Sequence, residues 1–138
     1  MVPVSDSISK CVPISLQLDR RLHIAQNFLP LANWAGRRGT SVYALDWLGM
    51  GRSARVPFTI KASRKDTAAR VAEAEAFFVD SLEEWRQKMG LKSMTLVGHS
   101  LGAYFSVVYA LKFPDRVNKL ILLRWVSSSR TLVIELNI

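Results

Sequence analysis

Short apolar runs alternate with longer amphipathic segments over most of the chain. Three runs, at about 42–47, 93–98 and 117–123, are short and mostly apolar, which favours strands that are buried on both faces. Two longer segments, at about 67–89 and 101–113, carry apolar residues at helical spacing. The order strand–helix–strand–helix–strand predicts an α/β fold with parallel strands and helical crossovers.

The first of these helices has clear end signals. Asp66 or Thr67 is suited to cap its N-terminus, and Gly90 is suited to end it. Its core-facing stripe is predicted to consist of Val71, Ala74, Phe78, Leu82 and Trp85. The second helix is expected to end at Pro114, since the residue before a proline disfavours the helical conformation.

The two ends of the chain fit this alternation less well. Residues 1–28 look irregular, although Ile14 to Leu18 alternates apolar and polar positions and could form a strand. Residues 20–36 could be helical, with an interruption at Pro30. The tail at 124–138 has no clear place in a parallel scheme. We therefore predict one domain over 29–123, flanked by two segments that do not belong to its pattern.

Composition narrows the choice of partners. The net charge is +8, which favours anionic partners, but the cations are scattered and mostly suggest a solvated face. An anionic membrane surface is the alternative, and the basic surface loop predicted at 54–65 is called the basic loop below. The sequence does not indicate a nucleic-acid partner, because no long basic run or aromatic-plus-basic module is present. A single cysteine, Cys11, excludes an internal disulfide.

The motif that carries chemistry is Gly98-His99-Ser100-Leu101-Gly102. It reads G-x-S-x-G, with a predicted strand before it and a predicted helix after it, which is the context of a nucleophile elbow. A serine in so sharp a turn is pushed clear of the sheet, and the glycines allow the close backbone approach that the turn needs. The helix N-terminus behind the serine would present N–H groups to a developing oxyanion.

With these pieces the chain resembles the α/β-hydrolase superfamily. The segments ALDWLGMGRS, LVGHSLGAYFSVVYALKFPDRV and NKLILL are similar to its lipid-metabolising subgroup of cardiolipin deacylases and lysophospholipid acyl hydrolases and acyltransferases, especially fungal forms, from about Leu31 to Leu123. The resemblance implies a lipid ester substrate, Ser100 as catalytic nucleophile and the Leu101 backbone N–H as an oxyanion donor. It implies no metal or organic cofactor. A mitochondrial or lipid-droplet location rests on the resemblance alone.

The partners of such a serine are not found in the sequence. The superfamily places an acid and then a histidine after the nucleophile, and no histidine follows Ser100. His99 should point away from Ser100, and His23 is expected to be a surface or core histidine. Asp46 is expected to fix the loop after its strand, and Asp115 to cap a turn or pair with Arg116. The sequence therefore offers neither an acid nor a base for a triad with Ser100.

The second oxyanion donor and one strand are also in doubt. Residues 1–30 contain no glycine, so the His-Gly turn that supplies the second donor in the superfamily is missing. The strand that should lie between those at 42–46 and 93–98 is not evident, and Ile14 to Leu18 is a poor candidate for the slot. We therefore expect an incomplete α/β-hydrolase fold, a fragment of a truncated or mis-assembled product with impaired or lost activity.

Three functions stay open on these observations. The first is a serine hydrolase or acyltransferase acting on lipid acyl esters, impaired in this chain. The second is a non-catalytic fragment that binds an anionic membrane surface or a protein partner. The third and weakest is a basic nucleic-acid-binding protein. Turnover that depends on Ser100 separates the first from the other two, and salt-sensitive DNA binding would mark the third.

Overall fold

A computed structural model describes the chain over residues 12–16, 33–51, 53–127 and 130–137, with side chains over 33–51 and 53–123. A helical turn occupies residues 33–36. The remaining elements are β1 (Val12–Leu16), β2 (Val42–Leu45), α1 (Thr67–Lys88), β3 (Met94–His99), α2 (Leu101–Lys112), a 3₁₀ turn (Pro114–Arg116), β4 (Val117–Ser127) and β5 (Arg130–Asn137).

The strands form one five-stranded sheet in the order β2-β1-β3-β4-β5. The first four strands run parallel, and β5 runs antiparallel to β4. The predicted α/β class, with parallel strands joined by α1 and α2, is confirmed. The boundaries differ by small amounts: β2 ends at Leu45, because Asp46 and Trp47 already belong to the following loop.

The position between β2 and β3 is occupied by β1. It pairs with β2 from Val12 opposite Val42, and with β3 from Ile14 opposite Val97. The expectation that Ile14 to Leu18 is a poor candidate for this position is therefore wrong, because the strand at 12–16 overlaps that run and pairs on both sides. A five-residue strand is long enough to satisfy the backbone groups of both neighbours over this span.

The tail also has a definite place, contrary to expectation. β4 continues past Leu123 to Ser127, and Arg130–Asn137 returns beside it from Lys119 opposite Asn137 to Ser127 opposite Arg130. A sheet of parallel strands alone offers no position for the tail, because each further parallel strand needs a long crossover segment before it. An antiparallel strand needs only a tight turn, which a chain can place at a sheet edge without a helix.

Helix α1 begins and ends at the predicted signals. The Asp66 carboxylate caps it by accepting a hydrogen bond from the Ala69 backbone N–H at 2.9 Å. Gly90 follows its last turn with φ 67°, a conformation that glycine adopts without steric cost. The predicted stripe is wrong at its first position, since Val71 is 44% exposed. The buried side chains of α1 begin only at Val79, in its C-terminal half.

The core lies between the two helices and one face of the sheet. Its fully enclosed members are Val79, Met94, Leu96, Tyr109 and Leu120. An aromatic group joins the loop after β2 to both helices: the Trp47 ring lies 5.0 Å from that of Phe105, and Phe78 lies 4.7 Å from Phe105. These ring contacts hold the loop, α1 and α2 against one another near the edge of the sheet where α2 begins.

A buried polar network adds a second connection between α1 and α2. Glu83 accepts hydrogen bonds from Arg86 at 2.6 and 2.8 Å, from Gln87 at 2.9 Å and from the Tyr109 hydroxyl at 2.6 Å. Arg86 also donates to the carbonyl oxygens of Leu91 and Lys92, in the loop that leads into β3. The network therefore joins both helices to β3, the strand that precedes Ser100.

This network predicts acid sensitivity. The hydrogen bonds from Arg86, then from Tyr109 and Gln87, lower the pKa of Glu83 from 4.5 to about 2. The unfolded chain binds this proton more readily than the folded protein, so the ionised carboxylate stabilises the fold above pH 4.5. That contribution, at most about 3 kcal/mol, should disappear as the pH falls from 4.5 to about 2.

Urea unfolding at a series of pH values checks this expectation. The wild type should lose stability between pH 4.5 and about 2. The Glu83→Gln variant, which has no proton to gain, should show a shallower dependence over the same range. Parallel curves for the two proteins would show that Glu83 does not cause the acid sensitivity.

Candidate functional site

The turn between β3 and α2 has an unusual backbone. Ser100 lies between the last residue of β3 and the first residue of α2, with φ 55° and ψ −124°. It has the only positive φ among the non-glycine residues that the structure describes. Such a conformation costs about 1–3 kcal/mol and is found mainly where function requires it. The strand–turn–helix context predicted for this serine is therefore present, with strain at the serine itself.

Close backbone approach explains the glycine two residues before the serine. A Cβ placed on Gly98 would lie 2.6 Å from both the Ala103 Cα and the Gly102 carbonyl oxygen. No side chain fits between the end of β3 and the first turn of α2. Glycine at this position therefore lets the chain turn sharply from the end of β3 into α2.

The Ser100 hydroxyl is not used to cap its helix. Serine at a helix N-cap usually accepts a hydrogen bond from the backbone through its side chain. Here the Ser100 carbonyl accepts from the Ala103 and Tyr104 N–H groups at 3.0 and 3.2 Å, and no side-chain capping bond forms. Ser100 is exposed, and its hydroxyl has no hydrogen-bond partner within the described segments. The oxygen is thus presented to solvent at the carboxyl edge of the sheet.

The N-terminus of α2 lies directly behind this oxygen, and the first turn of that helix contains no acidic residue of its own. The positive end of the helix dipole favours negative charge beside Ser100. Backbone N–H groups at such a position suit an oxyanion that develops during acyl transfer.

Comparison with known proteins identifies the family. The sequence profile described as alpha/beta hydrolase fold matches residues 22–132. The chain belongs to the α/β-hydrolase fold family. The match covers the motif, both helices and β2 to β4. The family expectation drawn from the motif and its flanking segments is confirmed.

Several relatives of this chain carry the name of a lipid acyltransferase. It is 48% identical over 81 residues to the human protein named 1-acylglycerol-3-phosphate O-acyltransferase ABHD5, an alignment that covers 59% of this chain and 21% of that protein. An Arabidopsis thaliana protein named 1-acylglycerol-3-phosphate O-acyltransferase is 44% identical over 81 residues, with 59% and 18% covered. The chain thus spans about a fifth of the length of these relatives. Their names agree with the acyltransferase part of the lipid-metabolising subgroup that the motifs resemble.

Solved structures agree on the fold. A 2-hydroxy-6-oxo-6-phenylhexa-2,4-dienoate hydrolase from Rhodococcus superimposes with a TM-score of 0.65 at 21% identity, covering 85% of this chain and 38% of that one. A marine microorganism esterase superimposes with a TM-score of 0.59 at 22% identity, covering 83% and 37%. At these identities the likeness concerns the α/β-hydrolase fold alone.

None of the other residues considered for catalysis is hydrogen-bonded to the Ser100 hydroxyl within the described segments, and two of them lie outside those segments. His99 ends β3, is partly buried and makes no hydrogen bond to Ser100 in the part of the chain that the structure describes. Asp46 begins the loop after β2, and its carbonyl accepts a hydrogen bond from the Ser53 hydroxyl at 2.5 Å. Asp115 is exposed in the 3₁₀ turn and forms no ion pair with Arg116 among the described side chains, so of the two expected roles the ion pair is not found. His23 and Cys11 lie outside the described residues.

One residue near the site could not be found from the sequence. Tyr104 lies one helical turn after Ser100, and its hydroxyl donates a hydrogen bond to the Glu75 carboxylate on α1. That bond raises the pKa of the Tyr104 hydroxyl. The two residues are 29 positions apart, so no local pattern links them. Their contact holds the first turns of α2 against α1, next to the strained serine.

Cavities and ligand groups complete the description of the site. A cavity of about 380 Å³ opens beside the end of β2, and Ser100 does not line it; its walls include Leu45, Asp46, Trp47, Leu82 and Trp85. Among the described residues, no group of three His, Cys, Asp or Glu side chains could hold a metal ion. No helix within the described segments is long and apolar enough to cross a membrane.

Proposed function

We propose that Ser100 is the nucleophile of an acyl-transfer reaction on lipid esters. The observation that carries the proposal is the strained, exposed serine between β3 and α2, whose hydroxyl has no partner in the described part of the chain. The 1-acylglycerol-3-phosphate O-acyltransferases among the relatives support lipid esters as the substrate class. Within this substrate class, the candidate reactions are the deacylation of phospholipids or cardiolipin and the acylation of lysophospholipids.

The chemistry follows from the position of the serine. The Ser100 Oγ would attack the carbonyl carbon of a fatty-acyl ester, and its proton would pass to a base as the C–O bond forms. The resulting oxyanion would lie at the N-terminus of α2, beside the backbone N–H of Leu101 and the positive end of the helix dipole. Collapse would expel the lipid alcohol and leave an acyl-serine. Water or the hydroxyl of a second lipid would then accept the acyl group.

The base is the missing component. No histidine follows Ser100 in the 138 residues, and His99 makes no contact with the serine hydroxyl in the described structure. We therefore propose that these residues, tested by themselves, react far more slowly than a complete triad. Loss of one triad member in serine hydrolases lowers the rate by about 10⁴-fold to 10⁶-fold.

The division of the chain into an N-terminal segment at 1–28, a hydrolase domain at 29–123 and a tail at 124–138 also stays a prediction.

A fluorophosphonate probe tests the nucleophile. We expect slow labelling of the purified wild-type chain and no labelling of Ser100→Ala. Imidazole added in solution supplies a base, so it should accelerate labelling of the wild type but not of the variant. Intact-mass spectrometry over time measures each rate, and peptide mapping locates the adduct.

An exposed serine elsewhere in the chain provides the control. Ser63 lies in the basic loop, where it is exposed, and Ser63→Ala should label as fast as the wild type. Labelling that persists in Ser100→Ala would show that another residue is the nucleophile. A folded wild type that stays unlabelled even with imidazole would refute the proposal and leave the non-catalytic binding function.

A further inference from the structure

The basic loop combines exposed apolar and cationic side chains. Residues 54–65 contain no helix or strand and no carboxylate. Val56 is 49% exposed and Phe58 is 39% exposed, which is high for side chains of this size. The same loop carries four exposed cations: Arg55, Lys61, Arg64 and Lys65. Apolar side chains among cations are the combination that binds the interface of an anionic bilayer.

Contacts with α1 hold the loop in one arrangement. The Phe58 ring stacks on that of Phe77, with centroids 4.4 Å apart and planes inclined by 23°. The Lys61 backbone N–H donates to the Glu73 carboxylate at 2.7 Å, and Arg70 donates to the Ala62 carbonyl at 3.5 Å. The exposed side chains are therefore displayed from a loop that is anchored at three points along the helix.

An open groove of about 840 Å³ runs between this loop and α1. Its apolar wall includes Val56, Phe58, Phe77 and Trp85. Three carboxylates also line it, and each is near a positive or N–H group. Glu73 accepts from the Lys61 N–H, Asp80 lies 2.5 Å from the Lys112 ammonium, and Glu84 lies 3.9 Å from Lys88. Lys112 and Lys88 thus offset the charges of Asp80 and Glu84, two of the three carboxylates that would otherwise repel an anionic surface.

The topology places the loop and Ser100 at the same edge of the sheet. β2 and β3 both run parallel to β1, so their carboxyl ends share one edge. The chain leaves β2 at that edge, passes through the basic loop and enters α1 at Asp66. Ser100 follows the last residue of β3 at the same edge. A surface bound by the loop would thus lie on the side of the molecule from which Ser100 is reached.

We propose that the basic loop docks this protein on an anionic phospholipid bilayer, with Val56 and Phe58 at the acyl boundary and the cations among the head groups. Charge complementarity selects this partner. Residues 54–70 hold five cations and one carboxylate, and that carboxylate, Asp66, is engaged in capping α1. Docking of the loop on the bilayer does not depend on the proposed function. Only the further step, in which docking presents a substrate to Ser100, rests on the proposed function.

Vesicle flotation with the full chain tests the proposal. The wild type should bind phosphatidylcholine vesicles that contain phosphatidylserine and should not bind phosphatidylcholine alone, and added salt should weaken the binding. The double change Arg64→Gln and Lys65→Gln should weaken binding by about 30-fold, from the usual contribution of two cations near an anionic surface. Val56→Ser with Phe58→Ser should weaken it by about 10-fold through lost apolar burial.

A pair of equal charge at the opposite edge provides the control. Lys92 and Arg116 are exposed and precede the amino ends of β3 and β4. Lys92→Gln with Arg116→Gln lowers the net charge by the same amount and should leave vesicle binding unchanged. Circular dichroism confirms that each variant is folded. Equal losses in the two pairs would overturn the proposal, because net charge alone would then explain binding.

Two further outcomes distinguish this proposal from nucleic-acid binding and from the catalytic proposal. Loop-dependent binding of duplex DNA without binding to vesicles would overturn it in favour of a nucleic-acid partner. Ser100→Ala should bind vesicles like the wild type, because the serine takes no part in docking. Failure of probe labelling with intact vesicle binding therefore refutes only the catalytic proposal, and labelling without vesicle binding refutes only the docking surface.

Discussion

Replacing Glu83 with alanine is expected to lower the free energy of unfolding by about 3–5 kcal/mol. The carboxylate is buried, with a side chain 12% exposed, and its partner Arg86 is 8% exposed. Without Glu83, the guanidinium would keep its charge in a site that supplies only the carbonyl oxygens of Leu91 and Lys92. The Tyr109 hydroxyl would lose its acceptor at the same time. Urea unfolding followed by circular dichroism measures the loss.

The neighbouring glutamate is a matched control for this change. Glu84 lies on the same helix, but its side chain is 72% exposed and 3.9 Å from Lys88. Glu84→Ala should cost no more than about 0.5 kcal/mol. Tyr109→Phe should cost about 1.5–3 kcal/mol, since it removes one hydrogen bond to a charged group and keeps the ring. Similar losses for Glu83→Ala and Glu84→Ala would show that the buried network does not stabilise the fold.

Local patterns predicted the elements around the serine because their signals are local. Continuous apolar runs mark strands covered on both faces, and β3 and β4 follow that pattern. Asp66 and Gly90 mark the ends of α1 through their own backbone and side-chain properties. The strained turn at Ser100 was predictable for the same reason. The glycine that allows it lies within two residues of the serine.

The errors arose where pairing between distant segments decided the outcome. Nothing in residues 12–16 reveals that this short strand lies inside the sheet rather than at an edge, because its place is decided by pairing with β2 and β3. The place of Arg130–Asn137 likewise depends on the free side of β4. Val71 was misassigned because helical spacing identifies a stripe but not where along the helix its packing partner begins.

The polar contacts beside the site were beyond any pattern of spacing. Tyr109 and Glu83 are 26 positions apart, and each alone would be assigned to an amphipathic helix. The three-dimensional packing of α1 against α2 converts them into one network. The same packing brings Tyr104 to Glu75 and thereby supports the turn that carries Ser100. The nucleophile could be predicted from sequence, whereas the groups that hold its helix in place could not.

Replacing Gly98 with alanine is expected to lower the free energy of unfolding by about 3 kcal/mol and to abolish labelling at Ser100. The new methyl group would lie 2.6 Å from two backbone atoms of the first turn of α2. Backbone atoms cannot rotate away as the end of a flexible side chain can, so α2 must move relative to β3. The strained conformation of Ser100 depends on that relative position. Thermal unfolding and the fluorophosphonate assay with added imidazole measure the two effects.

Gly36 offers the same chemical change without the collision. A Cβ at Gly36 meets nothing within 4 Å, and the residue lies in the helical turn at 33–36, where alanine is favoured over glycine. Gly36→Ala should therefore leave stability unchanged or raise it by up to about 1 kcal/mol, with labelling intact. If Gly98→Ala were equally well tolerated, the end of β3 and the start of α2 would not be in close contact. The strained backbone of Ser100 would then need another cause.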